Sequence, residues 1–184
     1  MHWGRAQLVA LLAGSLLSSP ARADVLDQEN APPTLGWTGC STPTGNLFQS
    51  FEPRFTPLSA VEIDVRDVPM TGETATFRLH TGAPEGEVVA EVTVRIEKAG
   101  WTRIPFDSVL AVTTRHDYVI EWMHPVSRWA SSFGDPYPRG EAYNCGGSLL
   151  FDTDFSFRTY APDQHVEDVS WTHAKRRLSD SRSR

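Results

Sequence analysis

The stretch formed by residues 121–143 carries the densest group of side chains that could bind a ligand. It combines aromatic rings with charged and imidazole groups: Trp122, His124, Arg128, Trp129, Asp135, Tyr137, Arg139 and Tyr143. Sugars are bound by aromatic faces that cover their C–H patches, while carboxylate and guanidinium groups take the hydroxyls. Small-ligand sites in general combine an apolar floor with a few converging polar groups. The stretch therefore predicts a carbohydrate-binding surface.

The aromatic residues of this stretch have two possible roles. Trp122 falls on the same face of a predicted strand as Tyr118 and Ile120, which indicates the core. Trp129 and Tyr137 flank a Gly-Asp-Pro turn, and the sequence leaves open whether their rings are exposed or buried. The expected ligand-binding residues are Trp129, Tyr137, Asp135, Arg139 and His124.

Catalytic signatures are not found in the sequence. It contains neither a Gly-x-Ser-x-Gly elbow nor a His-Glu-x-x-His zinc motif. His116 and Asp117 are adjacent, but neighbouring strand residues point to opposite faces and cannot simply pair. His80, His116 and His124 fall on separate elements without metal-ligand spacing. We expect a protein that is not an enzyme and requires no cofactor. An enzyme ranks third, behind a binding module and a structural or interaction domain.

The two cysteines, Cys40 and Cys145, are predicted to form a disulfide. The expectation depends on export, because disulfides persist in oxidising compartments. The bond would close a loop of about 100 residues, for which chain entropy gives roughly 4 to 5 kcal/mol. The alternative is two separate buried thiols.

The first 23 residues have the pattern of a secretory signal peptide. A basic start at Arg5 precedes an apolar run, and small residues at Ala21 and Ala23 precede Asp24. The alternative is a membrane anchor, but this apolar run is shorter than the roughly 20 residues that span a bilayer. We expect cleavage before Asp24, a secreted or periplasmic protein, and no membrane insertion.

Charge is distributed unevenly along the chain. Residues 24–160 contain 19 acidic and 10 basic residues. An acidic body repels phosphate backbones, so no nucleic-acid partner is expected. The last residues are polar and basic, and we predict that 161–184 form a flexible tail or, alternatively, dock a short helix on the body. The sequence does not specify an oligomeric state.

Alternating apolar and polar residues dominate the body. The period of two is clear in 61–65, 75–79 and Val88–Ile96, and it is typical of half-buried strands. Further predicted strands are Asn46–Phe51, 101–106, 116–123, Arg128–Phe133 and 148–160. Gly- and Pro-rich turns separate them. Eight or nine short strands predict an all-β, two-sheet antiparallel sandwich, with jelly-roll topology first and an immunoglobulin-like sandwich second.

Several segments together resemble secreted bacterial jelly-roll domains of the galactose-binding-like and carbohydrate-binding-module kind. They are 25–28, 48–51, 58–63, 81–90, 101–106, 117–120 and 152–160. The resemblance covers most of residues 24–160, the predicted domain, and rests on strand and turn patterns. It implies a non-catalytic accessory or surface domain.

The resemblance also implies a possible structural calcium ion. In similar domains such an ion joins the first strand to the last through oxygen ligands, and Gln28 and Asp154 occupy comparable places. Asp154 could equally be a solvated strand residue. The leading functional prediction is a non-catalytic extracytoplasmic module that binds carbohydrate or a surface glycan. The alternative is a structural or interaction domain of the cell envelope.

Overall fold

A computed structural model describes residues 24–33, 36–40 and 44–163, and the regular secondary structure in these ranges is all strand. The predictions about residues 1–23 and about the tail from 164 onwards lie outside the described residues. The strands are β1 (Asp24–Asn30), β2 (Gly36–Thr38), β3 (Asn46–Phe51), β4 (Leu58–Arg66), β5 (Glu73–Thr81), β6 (Val88–Ile96), β7 (Gly100–Leu110), β8 (Tyr118–Met123), β9 (Arg128–Phe133), β10 (Ala142–Tyr143), β11 (Leu149–Leu150), β12 (Thr153–Phe155) and β13 (Phe157–Pro162).

The strands form two antiparallel sheets that pack face to face. The first sheet has the order β1-β13-β4-β9-β12, with β2 paired to β9 and β7 paired to β4. The second has the order β11-β10-β3-β8-β5-β6. Most neighbours are distant in sequence, as β8 between β3 and β5 illustrates, and such crossovers are compatible with a jelly roll. The predicted all-β sandwich is confirmed.

The core lies between the sheets and is rich in aromatic rings. Trp122 of the second sheet meets Trp129 of the first with ring centroids 6.2 Å apart, and Phe51 meets Phe157 at 5.8 Å. Such ring pairs stabilise a core beyond the area that they bury. The interpretation of Trp122 as a core residue is confirmed.

Alternation predicted the inner strands better than the outer ones. In β5, residues Ala75, Phe77 and Leu79 are buried as the period of two requires. In β6, the corresponding residues Val92 and Val94 are only half-buried, because β6 is the outermost strand of its sheet. Periodicity identifies a face, but only the position in the sheet decides how deeply that face is covered.

Three differences from the predicted strands have physical reasons. Strand β1 was not predicted because its buried residues, Asp27, Gln28 and Asn30, are polar and hide the apolar period. The predicted strand 148–160 is divided into β11, β12 and β13. Residues 151–152 form a turn between the first two strands, and Ser156, whose backbone N–H donates to Ala130 O at 2.9 Å, separates the last two. Strand β13 also continues through Ala161 and Pro162, beyond the predicted body.

A disulfide joins Cys40, which follows β2, to Cys145, which follows β10. The predicted pairing is confirmed, and the alternative of two free thiols is wrong. A disulfide is typical of an oxidising, extracytoplasmic environment. Among the described residues there is no helix of the length and apolarity needed to cross a membrane.

Candidate functional site

Two aromatic residues of the predicted ligand surface, Trp129 and Tyr137, are buried. Trp129 has no exposed surface and stacks on Phe155 with centroids 4.7 Å apart, while its indole N–H donates to Ser156 O at 2.8 Å. Tyr137 is 4% exposed and packs edge-on against Phe157. Neither ring offers a face to a ligand, so their predicted role as sugar platforms is wrong. Both rings fill the core instead, because large aromatic side chains bury more area there.

The other predicted ligand residues do not converge either. His124 is exposed directly after β8, and six steps of about 3.3 Å place it roughly 20 Å from Tyr118 at the start of that strand. Asp135 is exposed on the turn that follows β9. Both have positive φ, a conformation that Asp and His adopt more readily than most residues. Arg139 lines a cleft.

That cleft, here called the arginine cleft, lies at one end of the sandwich. It has a volume of about 790 Å³ and is lined by Glu52, Pro53, Arg54, Thr114, Arg115 and Arg139. Three loops supply these residues, since they follow β3, β7 and β9. An adjoining groove of about 550 Å³ shares Glu52 and Arg115 and adds Thr81, Gly82, Thr113, His116, Asp117 and Tyr118.

The guanidinium groups of the arginine cleft differ from most others in their partners. Five arginines elsewhere lie within 4.0 Å of a carboxylate: Arg66, Arg78, Arg103, Arg128 and Arg158. Among the ion pairs of residues 24–33, 36–40 and 44–163, none involves Arg54, Arg115 or Arg139. Arg54 and Arg115 are also exposed. The cleft thus concentrates cationic donors that remain available to a ligand.

Asp27 fixes one wall of the cleft from below. This buried β1 residue accepts hydrogen bonds through Oδ1 from the backbone N–H groups of Arg54, at 3.0 Å, and Phe55, at 2.8 Å. Its Oδ2 accepts from the Thr159 hydroxyl at 2.8 Å. Hydrogen bonds to a charged acceptor are stronger than neutral ones, so the loop that follows β3 is held to the first sheet.

Gln28 and Tyr137 fix the opposite wall. The Tyr137 hydroxyl donates to Gln28 Oε1 at 2.5 Å, and Arg139 Nη2 donates to the same oxygen at 3.0 Å. Gln28 Nε2 donates in turn to Glu52 O. Burial raises the pKa of Tyr137, so its hydroxyl remains a donor at neutral pH. The network ties Arg139 and Glu52, from two loops, to one buried amide.

The oxygens proposed for calcium already accept hydrogen bonds from the protein. Gln28 Oε1 accepts from Tyr137 and from the Arg139 cation, while Asp154 Oδ1 accepts from Gln49 Nε2 and Oδ2 from Tyr137 N, both at 3.0 Å. Because the Arg139 guanidinium, a cation, donates to Gln28 Oε1, this oxygen does not suit a calcium ligand. No cluster of three His, Cys, Asp or Glu residues suited to a metal is present within the described part of the chain.

Asp154 is enclosed by hydrogen-bond donors of the protein rather than exposed to solvent. It is buried, so the alternative of a solvated strand residue is wrong. Burial raises the pKa of Asp154, although the hydrogen bonds from Gln49 and Tyr137 oppose that rise. The calcium ion itself stays a prediction, and a melting temperature unmoved by a chelator would exclude it.

A buried histidine–carboxylate pair lies on the outer face of the second sheet, and neither of its residues lines the cleft or the adjoining groove. His80 Nε2 lies 2.8 Å from Glu121 Oε2, and Nδ1 lies 3.1 Å from Gly86 O. Because a carbonyl oxygen can only accept, Nδ1 carries a proton. Asn46 Nδ2 donates to Glu121 Oε1 at 2.6 Å. Both ring nitrogens are engaged, so the ring has none free to bind a ligand.

Sequence reasoning missed Arg54 and Arg115. Each is an isolated base in a polar loop, and residues 54, 115 and 139 are far apart in the sequence. The nearest sequence signal was Arg139, which was predicted as a ligand residue because it lies in the stretch 121–143. Only the crossing connections of the sandwich bring the three loops to the same end.

Comparison with known proteins adds no family to this description. No family model matches the chain, and neither a curated protein nor a solved structure matches it. The resemblance seen in the sequence is thus confirmed only at the level of architecture, an all-β sandwich of two antiparallel sheets.

Proposed function

We propose that this protein is a non-catalytic extracytoplasmic binding module that recognises a glycan in the arginine cleft. The observation that carries the proposal is the convergence of Arg54, Arg115 and Arg139 at one open cleft, where none of the three forms an ion pair with a carboxylate of the described residues. Guanidinium groups present several donors in a fixed geometry, which suits oxygen-rich ligands. Glu52 in the same cleft supplies an acceptor for sugar hydroxyls.

The mode of recognition differs from the one that the sequence indicated. Trp129 and Tyr137 are in the core, and Tyr118, in the adjoining groove, is also buried. Binding therefore depends on hydrogen bonds and charge rather than on stacking against an aromatic platform. The loops that carry these groups are fixed from below by Asp27 and Gln28, which lowers the entropy lost when a ligand binds.

The proposal is tested by glycan-array binding of the purified protein and two variants. The double variant Arg54→Gln/Arg115→Gln removes two exposed guanidinium groups and keeps the backbone hydrogen bonds of both residues. The control, Lys98→Gln, removes one positive charge in the turn between β6 and β7, at the opposite end of the sandwich. We expect binding by the wild type and the control and loss of binding by the double variant.

Two outcomes would overturn this function. Wild-type protein that binds no glycan would favour the structural or interaction domain instead. Glycan binding that the double variant retains, with native near-ultraviolet circular dichroism, would place the ligand elsewhere on the surface.

A further inference from the structure

We infer that the arginine cleft selects acidic glycans, with a carboxylate or sulfate of the sugar bound by its guanidinium groups. This inference rests on the proposed function and names the ligand class for the same site. An arginine can bind a carboxylate or sulfate through two parallel N–H···O hydrogen bonds, which a neutral hydroxyl cannot reproduce.

The distribution of charge supports an anionic ligand. Residues 24–160 carry nearly twice as many acidic as basic side chains, yet three of the ten basic residues line this one cleft. In the part of the chain that the structure describes, five of the six other arginines lie within 4.0 Å of a carboxylate of the protein itself. In an acidic protein, a cleft lined by three arginines is a local reversal of charge that attracts anions.

Arg139 and Arg115 are positioned in the cleft by different contacts. Arg139 is fixed by its hydrogen bond to Gln28 and lies with its guanidinium carbon 5.3 Å from the centroid of the Tyr137 ring. The backbone N–H of Arg115 donates to Pro53 O at 3.3 Å, and Arg115 has a φ of 62°. This conformation is uncommon for arginine, and it fixes the direction in which the side chain leaves the loop.

Two carboxylates limit which anions fit. Glu52 lies in the cleft and Asp117 in the adjoining groove, beside His116. These groups repel densely charged inorganic polyanions but accept hydrogen bonds from hydroxyls. The combination of three arginines with two carboxylates therefore favours a sugar that carries spaced acidic groups among free hydroxyls.

The test compares polymers that differ only in charge, by affinity electrophoresis and isothermal titration calorimetry. Polygalacturonate is paired with its fully methyl-esterified form, and dextran sulfate with dextran. We expect binding to a charged polymer and none to its neutral partner, and the pair that responds distinguishes a carboxylate from a sulfate. Raising the salt concentration should weaken binding, because ions screen charges beyond about 8 Å at physiological ionic strength.

Single variants connect this selectivity to the cleft. Arg115→Gln and, separately, Arg54→Gln should each bind the charged polymer about tenfold more weakly, equivalent to about 1.4 kcal/mol. Lys98→Gln should bind like the wild type. Two independent variants keep the test valid if one of them fails to fold.

The outcomes separate this inference from the proposed function. Equal binding to charged and neutral polymers, or array binding to neutral glycans with none to the four polymers, overturns acidic selectivity and leaves glycan binding intact. No binding on the array and none to the polymers overturns both. Unchanged affinity in both arginine variants also overturns the inference.

Discussion

The buried hydroxyl of Tyr137 should contribute measurably to stability, because it joins the two loops that form the arginine cleft. It donates to Gln28 Oε1 at 2.5 Å and accepts a longer hydrogen bond from Glu52 N at 3.4 Å. In Tyr137→Phe the aromatic ring remains, so its packing against Phe157 is kept and no large cavity forms. The free-energy change therefore reports the hydroxyl alone.

The expected loss of unfolding free energy in Tyr137→Phe depends on which groups lose a hydrogen bond when the hydroxyl is removed. Gln28 Oε1 retains the hydrogen bond from Arg139 at 3.0 Å, so it is not left without a donor. The loss comprises one short hydrogen bond and one weak hydrogen bond, and we expect Tyr137→Phe to lower the free energy of unfolding by about 1 to 2 kcal/mol.

Urea unfolding followed by tryptophan fluorescence measures this change, since Trp122 and Trp129 lie in the core. The matched control is Tyr143→Phe, because the half-buried Tyr143 hydroxyl has no hydrogen bond among those between described residues. The control should change stability by less than about 0.5 kcal/mol. If Tyr137→Phe costs no more than this control, the reasoning about the buried network is refuted.

Three further predictions concern the rest of the fold. The unreduced protein should show no free thiols. Replacing Cys40 and Cys145 with alanine should lower the free energy of urea unfolding by roughly 4 to 5 kcal/mol, because the disulfide joins residues 105 positions apart. A loss under about 1 kcal/mol would contradict the loop-closure argument. Burial raises the pKa of Asp154 above its ordinary 3.8, so the stability that its protonated form contributes is present below that value and lost as pH rises through the higher folded pKa. The stability advantage of the wild type over Asp154→Asn should therefore shrink from about pH 3.5 to about pH 7. An advantage that grows over this range would be inconsistent with the raised pKa. Gly140→Ala should be destabilising by more than about 2 kcal/mol, because the added Cβ would clash with the backbone carbonyl of Ser50 in β3. The control Gly146→Ala should be tolerated, because its added Cβ would have no contact closer than 3.6 Å. Equal melting temperatures of the two variants would show that the loop around Gly140 relaxes.

Local patterns were sufficient to predict the fold class. The alternation in β4, β5 and β6 identified strands with one core face, because side chains on a strand point alternately to opposite sides. The cysteine pair also followed from the sequence, once export was inferred, since an oxidising compartment favours their pairing.

The candidate site could not be predicted in the same way. Trp129 and Tyr137 resembled ligand-binding residues because they flank a turn, but burial depends on which strands cover them. The alternation of apolar and polar residues does not show which strands cover a given side chain. Strand β1 was missed for a related reason, since its polar residues Asp27 and Gln28 are buried by hydrogen bonding rather than by hydrophobicity.

By itself, the sequence determined the fold class, the alternating strands β4, β5 and β6, the acidic body and the cysteine pair, all of which depend on residue type and short spacing. Only the tertiary structure decided that Arg54, Arg115 and Arg139 share one cleft and that Trp129 does not reach solvent. The physical reason is the order of strands within the two sheets. Pairing between strands far apart in the chain places distant loops at one end, and no local pattern encodes that placement.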